Sequence, residues 1–166
     1  MVQGASMNLK WLGTGLGDWI DFKIIKGDAR NASKLVDRQV DAIAFEPHLG
    51  PTYSERPTYD EAAANIDDLT RLYRDTLEDL EACLRPGGRV AMTLPVVNTS
   101  KKQVNVELKP MLEGTGFEVF KLLPKEAFID VETRHRQLEI APERSTLPER
   151  KRGQIVERNV VMLGKA

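Results

Sequence analysis

Apolar positions recur along this chain with two different periods. From residue 59 to 84, Ile66, Leu69, Tyr73, Leu77, Leu80 and Leu84 follow one another at intervals of three or four, which predicts a long helix with one apolar stripe. Thr58-Tyr59-Asp60-Glu61 has the spacing of a capping box at its start, and Arg85-Pro86-Gly87-Gly88 supplies the breakers at its end. Short, nearly continuous apolar runs predict buried strands instead: Phe22–Ile25, Val40–Phe45, Arg89–Val97, Phe117–Leu123 and Ile155–Leu163. Val2, Ala5, Leu9 and Leu12 have the spacing of a short helix, and residues 31–39 leave room for about two helical turns. Gln103 to Glu113 reads as a helix kinked or restarted at Pro110. The strand–helix–strand rhythm implies an α/β fold with a mostly parallel sheet, its last strand pairing antiparallel at the edge.

Two stretches resist this reading. Gly13-Thr14-Gly15-Leu16-Gly17-Asp18 has the letters of a glycine-rich nucleotide loop, but it follows a helical pattern and precedes a strand. A phosphate-cradling loop needs the reverse order, with a helix amino terminus facing the ligand, so a plain connection is the simpler expectation. From Pro124 to Gly153 no period holds, and charge dominates through Arg134, His135, Arg136, Arg144, Arg150, Lys151 and Arg152. A loop of that length is expected to be functional or mobile.

The chain has 166 residues, enough for a single domain that buries about two-thirds of its unfolded surface. Cys83 is the only cysteine; it cannot form an internal disulfide and is most simply a small buried apolar residue. No cysteine–histidine cluster suggests zinc, no signal peptide is legible at the start, and no apolar run is long enough to span a bilayer. A soluble, reduced, cytoplasmic protein is expected. Net charge is −1, yet residues 1–82 carry 15 acidic and 9 basic side chains and residues 83–166 carry 10 and 15. The second half is therefore the better candidate to meet phosphates.

The candidate chemistry lies at the end of the second predicted strand. Val40–Phe45 runs into Glu46-Pro47-His48-Leu49-Gly50-Pro51, and the prolines stop the strand by fixing the backbone and removing donors. Ligands in open α/β sheets sit beyond the carboxyl ends of the strands, so Glu46 and His48 are placed where substrate chemistry occurs. The alternative is a proline-bounded loop with incidental polar residues. Asp28, just past Phe22–Ile25, has the position of a carboxylate that meets an adenine amino group or caps the next helix.

The order of these signals resembles the carboxyl-terminal part of a class I S-adenosylmethionine-dependent methyltransferase, most of all the family that methylates the exocyclic N2 of guanosine in tRNA. Met1 to Leu12 is similar to the helix after that family's second strand, and Gly27-Asp28-Ala29 to the turn at the cofactor's adenine. Val40 to Gly50 resembles the strand entering the family's Asp-Pro-Pro-Tyr-Gly catalytic turn. Leu84 to Arg89 resembles its Pro-Gly-Gly strand entry, and Gln154 to Val161 its final strand. Together they span nearly the whole chain.

The resemblance implies a catalytic turn of Glu46, Pro47, His48 and Leu49, with Asp28 and Ala29 at the cofactor and Arg134, Arg136, Lys151 and Arg152 toward RNA. Here glutamate replaces aspartate, histidine the second proline and leucine the stacking tyrosine. Glutamate keeps the hydrogen-bond acceptor that an attacking exocyclic amine needs. The family's first strand, glycine-rich cofactor loop and ribose-binding acid would lie before Met1. The sheet is then expected to lack two strands in its middle, and the S-adenosylmethionine site to be completed by another chain or by a second copy in a homodimer. Residues 1–166 would form one domain, the carboxyl-terminal portion of the methyltransferase fold. A non-catalytic binding or assembly module is the alternative; a small nucleotide binder using Gly13–Gly17, with a strand at Asn8–Leu12, is a third.

Overall fold

The computed structural model describes residues 2–16, 21–121 and 145–166. Its amino-terminal elements are helix α1 (Val2–Leu16), a 3-10 turn (Ala29–Asn31), the short helix α2 (Ala32–Leu35) and strand β1 (Val40–Phe45). Helix α3 (Tyr59–Cys83), strands β2 (Leu84–Asn98) and β3 (Gln103–Asn105), and helix α4 (Leu108–Leu112) follow. Strands β4 (Phe117–Val119), β5 (Thr146–Glu149) and β6 (Val156–Lys165) complete the set.

Helix α3 organises the rest. The Thr58 hydroxyl accepts from the Glu61 amide at 3.3 Å and caps its start. At its other end, Lys165 Nζ donates to the carbonyls of Glu81 and Leu84 at 2.7 and 3.0 Å, satisfying acceptors that a helix terminus leaves open. The expected stripe is buried and extended by Ala62 and Cys83. It packs on Val90, Met92 and Leu94 of β2 and on Val161 and Leu163 of β6, with Met111 and Phe117 closing the core. Cys83 is buried, and burial pushes its thiol pKa up.

The sheet runs β1-β2-β6-β4, with β1 parallel to β2 and β6 antiparallel to both β2 and β4. The α/β class and the antiparallel final strand agree with expectation. Among the described residues parallel pairing is confined to β1–β2, and β6 lies between β2 and β4, reaching the sheet's interior. Phe22–Ile25 is outside the sheet, a correction to the strand expected there. A strand exists through its neighbour's hydrogen bonds, and no described segment supplies one beside it. Arg85-Pro86-Gly87-Gly88 bulges out of the β1–β2 ladder, since Val40 pairs with Leu84 and Ala42 with Arg89. Gly87, at φ +73°, makes that bulge possible.

Three further expectations change. Gly13 to Leu16 continues α1, so the nucleotide-loop reading and its strand at Asn8–Leu12 are excluded; Gly17 lies outside the described residues. Gln103–Asn105 is a strand on β2, and only Leu108–Leu112 is helical, with Pro110 in the first turn where a missing amide costs nothing. Within the stretch read as loop, Thr146–Glu149 forms β5 against β6.

Candidate functional site

The parallel β1–β2 pair defines the end of the molecule that matters. The carboxyl ends of both strands point the same way, and β6, antiparallel to β2, begins there: Val97 pairs with Val156 and Pro95 with Arg158. β6 occupies one edge of β2 along this length, so β3, paired with Val96 to Asn98, lies on the same edge as β1 and just beyond it. The segments 46–53, 99–102 and 150–155 therefore converge at one end of the sheet.

The first and third are fastened by hydrogen bonds from α3 and from the end of β2. The Tyr73 hydroxyl, on α3, donates to the His48 carbonyl at 2.5 Å. Tyr73 is 1% exposed, and burial raises its pKa above the ordinary 10, so it stays a donor at neutral pH. Asn65 Nδ2, two turns earlier on the helix, donates to the Tyr53 hydroxyl at 2.8 Å. Gly50, at φ +98°, turns the chain between these two tethers. Asn98 holds the third segment: its amide donates to the Ile155 carbonyl at 2.8 Å and its Nδ2 to the Gln154 carbonyl at 3.1 Å.

Between them lies an open cleft of about 420 Å³, walled by Leu49–Tyr53 on one side and by Gly153, Ile155, Val156 and Arg158 on the other. That size lies in the usual range of roughly 300–1,000 Å³ for small-ligand sites. Glu46 stands beside it. Its Oε1 is 3.3 Å from an Arg158 amino nitrogen, and the same guanidinium is 3.1 Å from Glu149 Oε2. The hydrogen bond to Glu149 and the charge of Glu46 raise the Arg158 pKa, so this cation is permanent. Glu46 is half-exposed and remains reachable from solvent.

The other expected site residues are placed as follows. His48 is exposed on the turn, while Pro47 and Leu49 are half-buried. Lys151 and Arg152 are exposed at the tip of the β5–β6 hairpin, next to Gly153 of the cleft wall. Arg134 and Arg136 lie outside the described residues. Asp28 and Ala29 are not in the cleft wall. Their turn packs against the carboxyl-terminal part of α3, where the Ser33 amide and hydroxyl donate to Asp79 at 2.8 and 2.6 Å and Arg30 feels the charge of Asp75. Asp28 caps the 3-10 turn through the Arg30 amide and also binds the Arg30 guanidinium. Those hydrogen bonds hold its carboxyl at about 2.

Arg158, Tyr53 and the exposed pair Lys101–Lys102 at the end of β2 were not among the expected site residues. The first sits in Glu157-Arg158-Asn159, the polar opening of a strand whose apolar run starts at Val160, so its charge did not single it out. The others depend on which segments the sheet brings together.

None of the described segments forms a glycine-rich loop between a strand and a helix amino terminus, since Gly13 lies within α1 and the Asp28 oxygens are engaged by Arg30. Among the described residues no cluster of metal-binding side chains occurs, and no helix is long and apolar enough to cross a membrane.

No protein-family model and no curated protein matches the sequence. Among solved structures, the chain is similar to TrmN from Thermus thermophilus, at 24% identity and a TM-score of 0.45, over 93% of this chain and 31% of that one. It is also similar to a candidate DNA modification methylase from Thermus thermophilus, at 16% identity and a TM-score of 0.42, over 84% and 52% of the two chains. A structure of that protein complexed with S-adenosyl-L-methionine gives 17% identity and a TM-score of 0.40, over 84% and 53%.

Proposed function

We propose that this chain is the amine-binding component of an S-adenosylmethionine-dependent N-methyltransferase acting on an RNA base, with the exocyclic N2 of a tRNA guanosine as acceptor. The observation that carries the reading is Glu46: a solvent-reachable carboxylate on a proline-fixed turn, at the carboxyl end of a parallel strand and beside a cleft. An exocyclic aromatic amine is a weak nucleophile, because its lone pair is delocalised into the ring. Glu46 accepts a hydrogen bond from its N–H, orients the lone pair, and takes up the proton as the nitrogen becomes cationic. Lys151 and Arg152, with Lys101 and Lys102 across the end of the sheet, supply cations for RNA phosphates.

The cofactor site is completed by another polypeptide, a second protein or a second copy of this chain. What supports this is the outer edge of β1, which pairs with no described segment while Asp41, Ala42 and Ala44 stand exposed. Parallel strands are ordinarily covered on both faces and paired on both edges, and an open edge is a template for association.

The test is calorimetric titration with S-adenosylmethionine of the chain alone and with any co-purifying partner, with mass recorded by light scattering. Binding only in a complex, and at least a hundred-fold loss of methyl transfer to unmodified tRNA in Glu46→Ala, is the expected result. Binding by the isolated monomer would overturn the shared-site reading. Absence of binding in either state would leave the assembly module, which the engagement of Glu46 by Arg158 and of Asp28 by Arg30 favours.

A further inference from the structure

We infer that Tyr53 is the platform against which a planar nucleobase lies in the cleft, with Arg158 as the cation at its edge. This rests on the nucleic-acid reading above and names the residues that hold the base. Among the described residues, Tyr53 is the one aromatic side chain in the cleft wall. Its ring is fixed twice: its body packs on the hydrophobic core, and its hydroxyl accepts from Asn65 of α3 at 2.8 Å. A ring already immobilised loses little side-chain entropy when a second ring settles on it.

The facing wall suits the same ligand. Ile155 and Val156 are aliphatic, Gly153 adds no side chain, and Arg158 contributes a planar guanidinium. Arg158 is held at 3.3 Å from Glu46 and 3.1 Å from Glu149, so it is positioned before any ligand arrives. A purely aliphatic ligand would make no polar contact with that guanidinium, and a small anion would leave the ring and the aliphatic wall uncovered. A flat heteroaromatic ring bearing carbonyl and amine groups uses all three. The exposed Lys151–Arg152 tip next to Gly153 places phosphate contacts at the mouth of the cleft, which fits a base carried on a phosphate backbone.

The ring of the turn itself, His48, is not in the cleft wall, and Leu49, which is, is aliphatic. Tyr53 lies four residues further along the same wall, beyond the Gly50 turn. Base–aromatic stacking tolerates any base, so selectivity among bases falls to the polar groups at the edge, Glu46 and Arg158.

The experiment uses the full chain with any co-purifying partner and a short fluorescein-labelled single-stranded RNA, read by anisotropy over a range of salt. Tyr53→Leu is expected to weaken binding about ten-fold with an unchanged salt slope, because no phosphate contact is lost. Tyr53→Trp keeps a ring and is expected to stay within about three-fold of the parent. Tyr53→Met, similar in reach and without a ring, repeats the loss should the leucine variant fold poorly. Lys151→Ala with Arg152→Ala is expected to weaken binding and flatten the salt slope by about two. If that double variant behaves so while Tyr53→Leu and Tyr53→Met bind like the parent, the stacking role is overturned and RNA binding stands. If the parent complex shows no salt-dependent binding, both readings fall.

Discussion

Replacing Tyr73 by Phe isolates a single bond between the central helix and the candidate catalytic turn. The ring is 1% exposed and belongs to the core, so Phe retains the packing and removes only the hydroxyl that donates to His48 at 2.5 Å. Loss of such a bond costs about 1 kcal/mol net, within a range of roughly 0.5–1.5. With a urea dependence of about 2 kcal/mol per molar, the unfolding midpoint falls by about 0.5 M. The same energy, expressed locally, lets the turn open about five-fold more often. Urea denaturation followed by circular dichroism reads the first effect, and hydrogen exchange of a peptide covering residues 46–53 reads the second. An unchanged midpoint with unchanged exchange would refute the claim that Tyr73 tethers the turn. A loss of several kcal/mol would instead show disturbed core packing, the cost expected of removing the ring.

Leu77→Ala, at a position with no exposed surface beneath the sheet, is expected to cost about 2–5 kcal/mol by the same denaturation assay. Arg158→Met should cost less than about 1 kcal/mol, because both of its carboxylate partners are about half exposed, so thermal melting barely moves while RNA binding in the cleft weakens. Asp28 titrates at about 2 instead of 3.8, so its contribution is complete above pH about 4 and is lost as pH falls through about 2. Carboxyl carbon shifts in an NMR titration should show that midpoint, and Arg30→Ala should return it toward the ordinary value. Gly87→Ala, where φ is +73° and space is open, is expected to destabilise by about 1 kcal/mol through backbone strain alone.

Much of this protein follows from local sequence. The stripe from Ile66 to Leu80 and its Thr58 cap specify α3, because helix periodicity and end-capping act within a few residues. The proline that stops β1 after Glu46, and the glycines that release β2 from the helix, are equally local, so the position of the candidate carboxylate was legible from the order of residues. Phe22–Ile25 shows the boundary of such reasoning: its residues favour a strand, but a strand requires a hydrogen-bonding neighbour, and that is decided elsewhere in the chain. Gln103–Asn105 fails in the opposite sense, recruited to β2 by an available edge despite a helical pattern. The cleft itself belongs wholly to the tertiary structure. Tyr53, Gly153 and Arg158 are up to 105 residues apart in sequence and meet because β6 runs antiparallel to β2, which brings its first residues to the end where β1 finishes. Hydrophobic pattern determines which faces are buried; only the pairing of strands determines which distant polar groups share one end of the sheet.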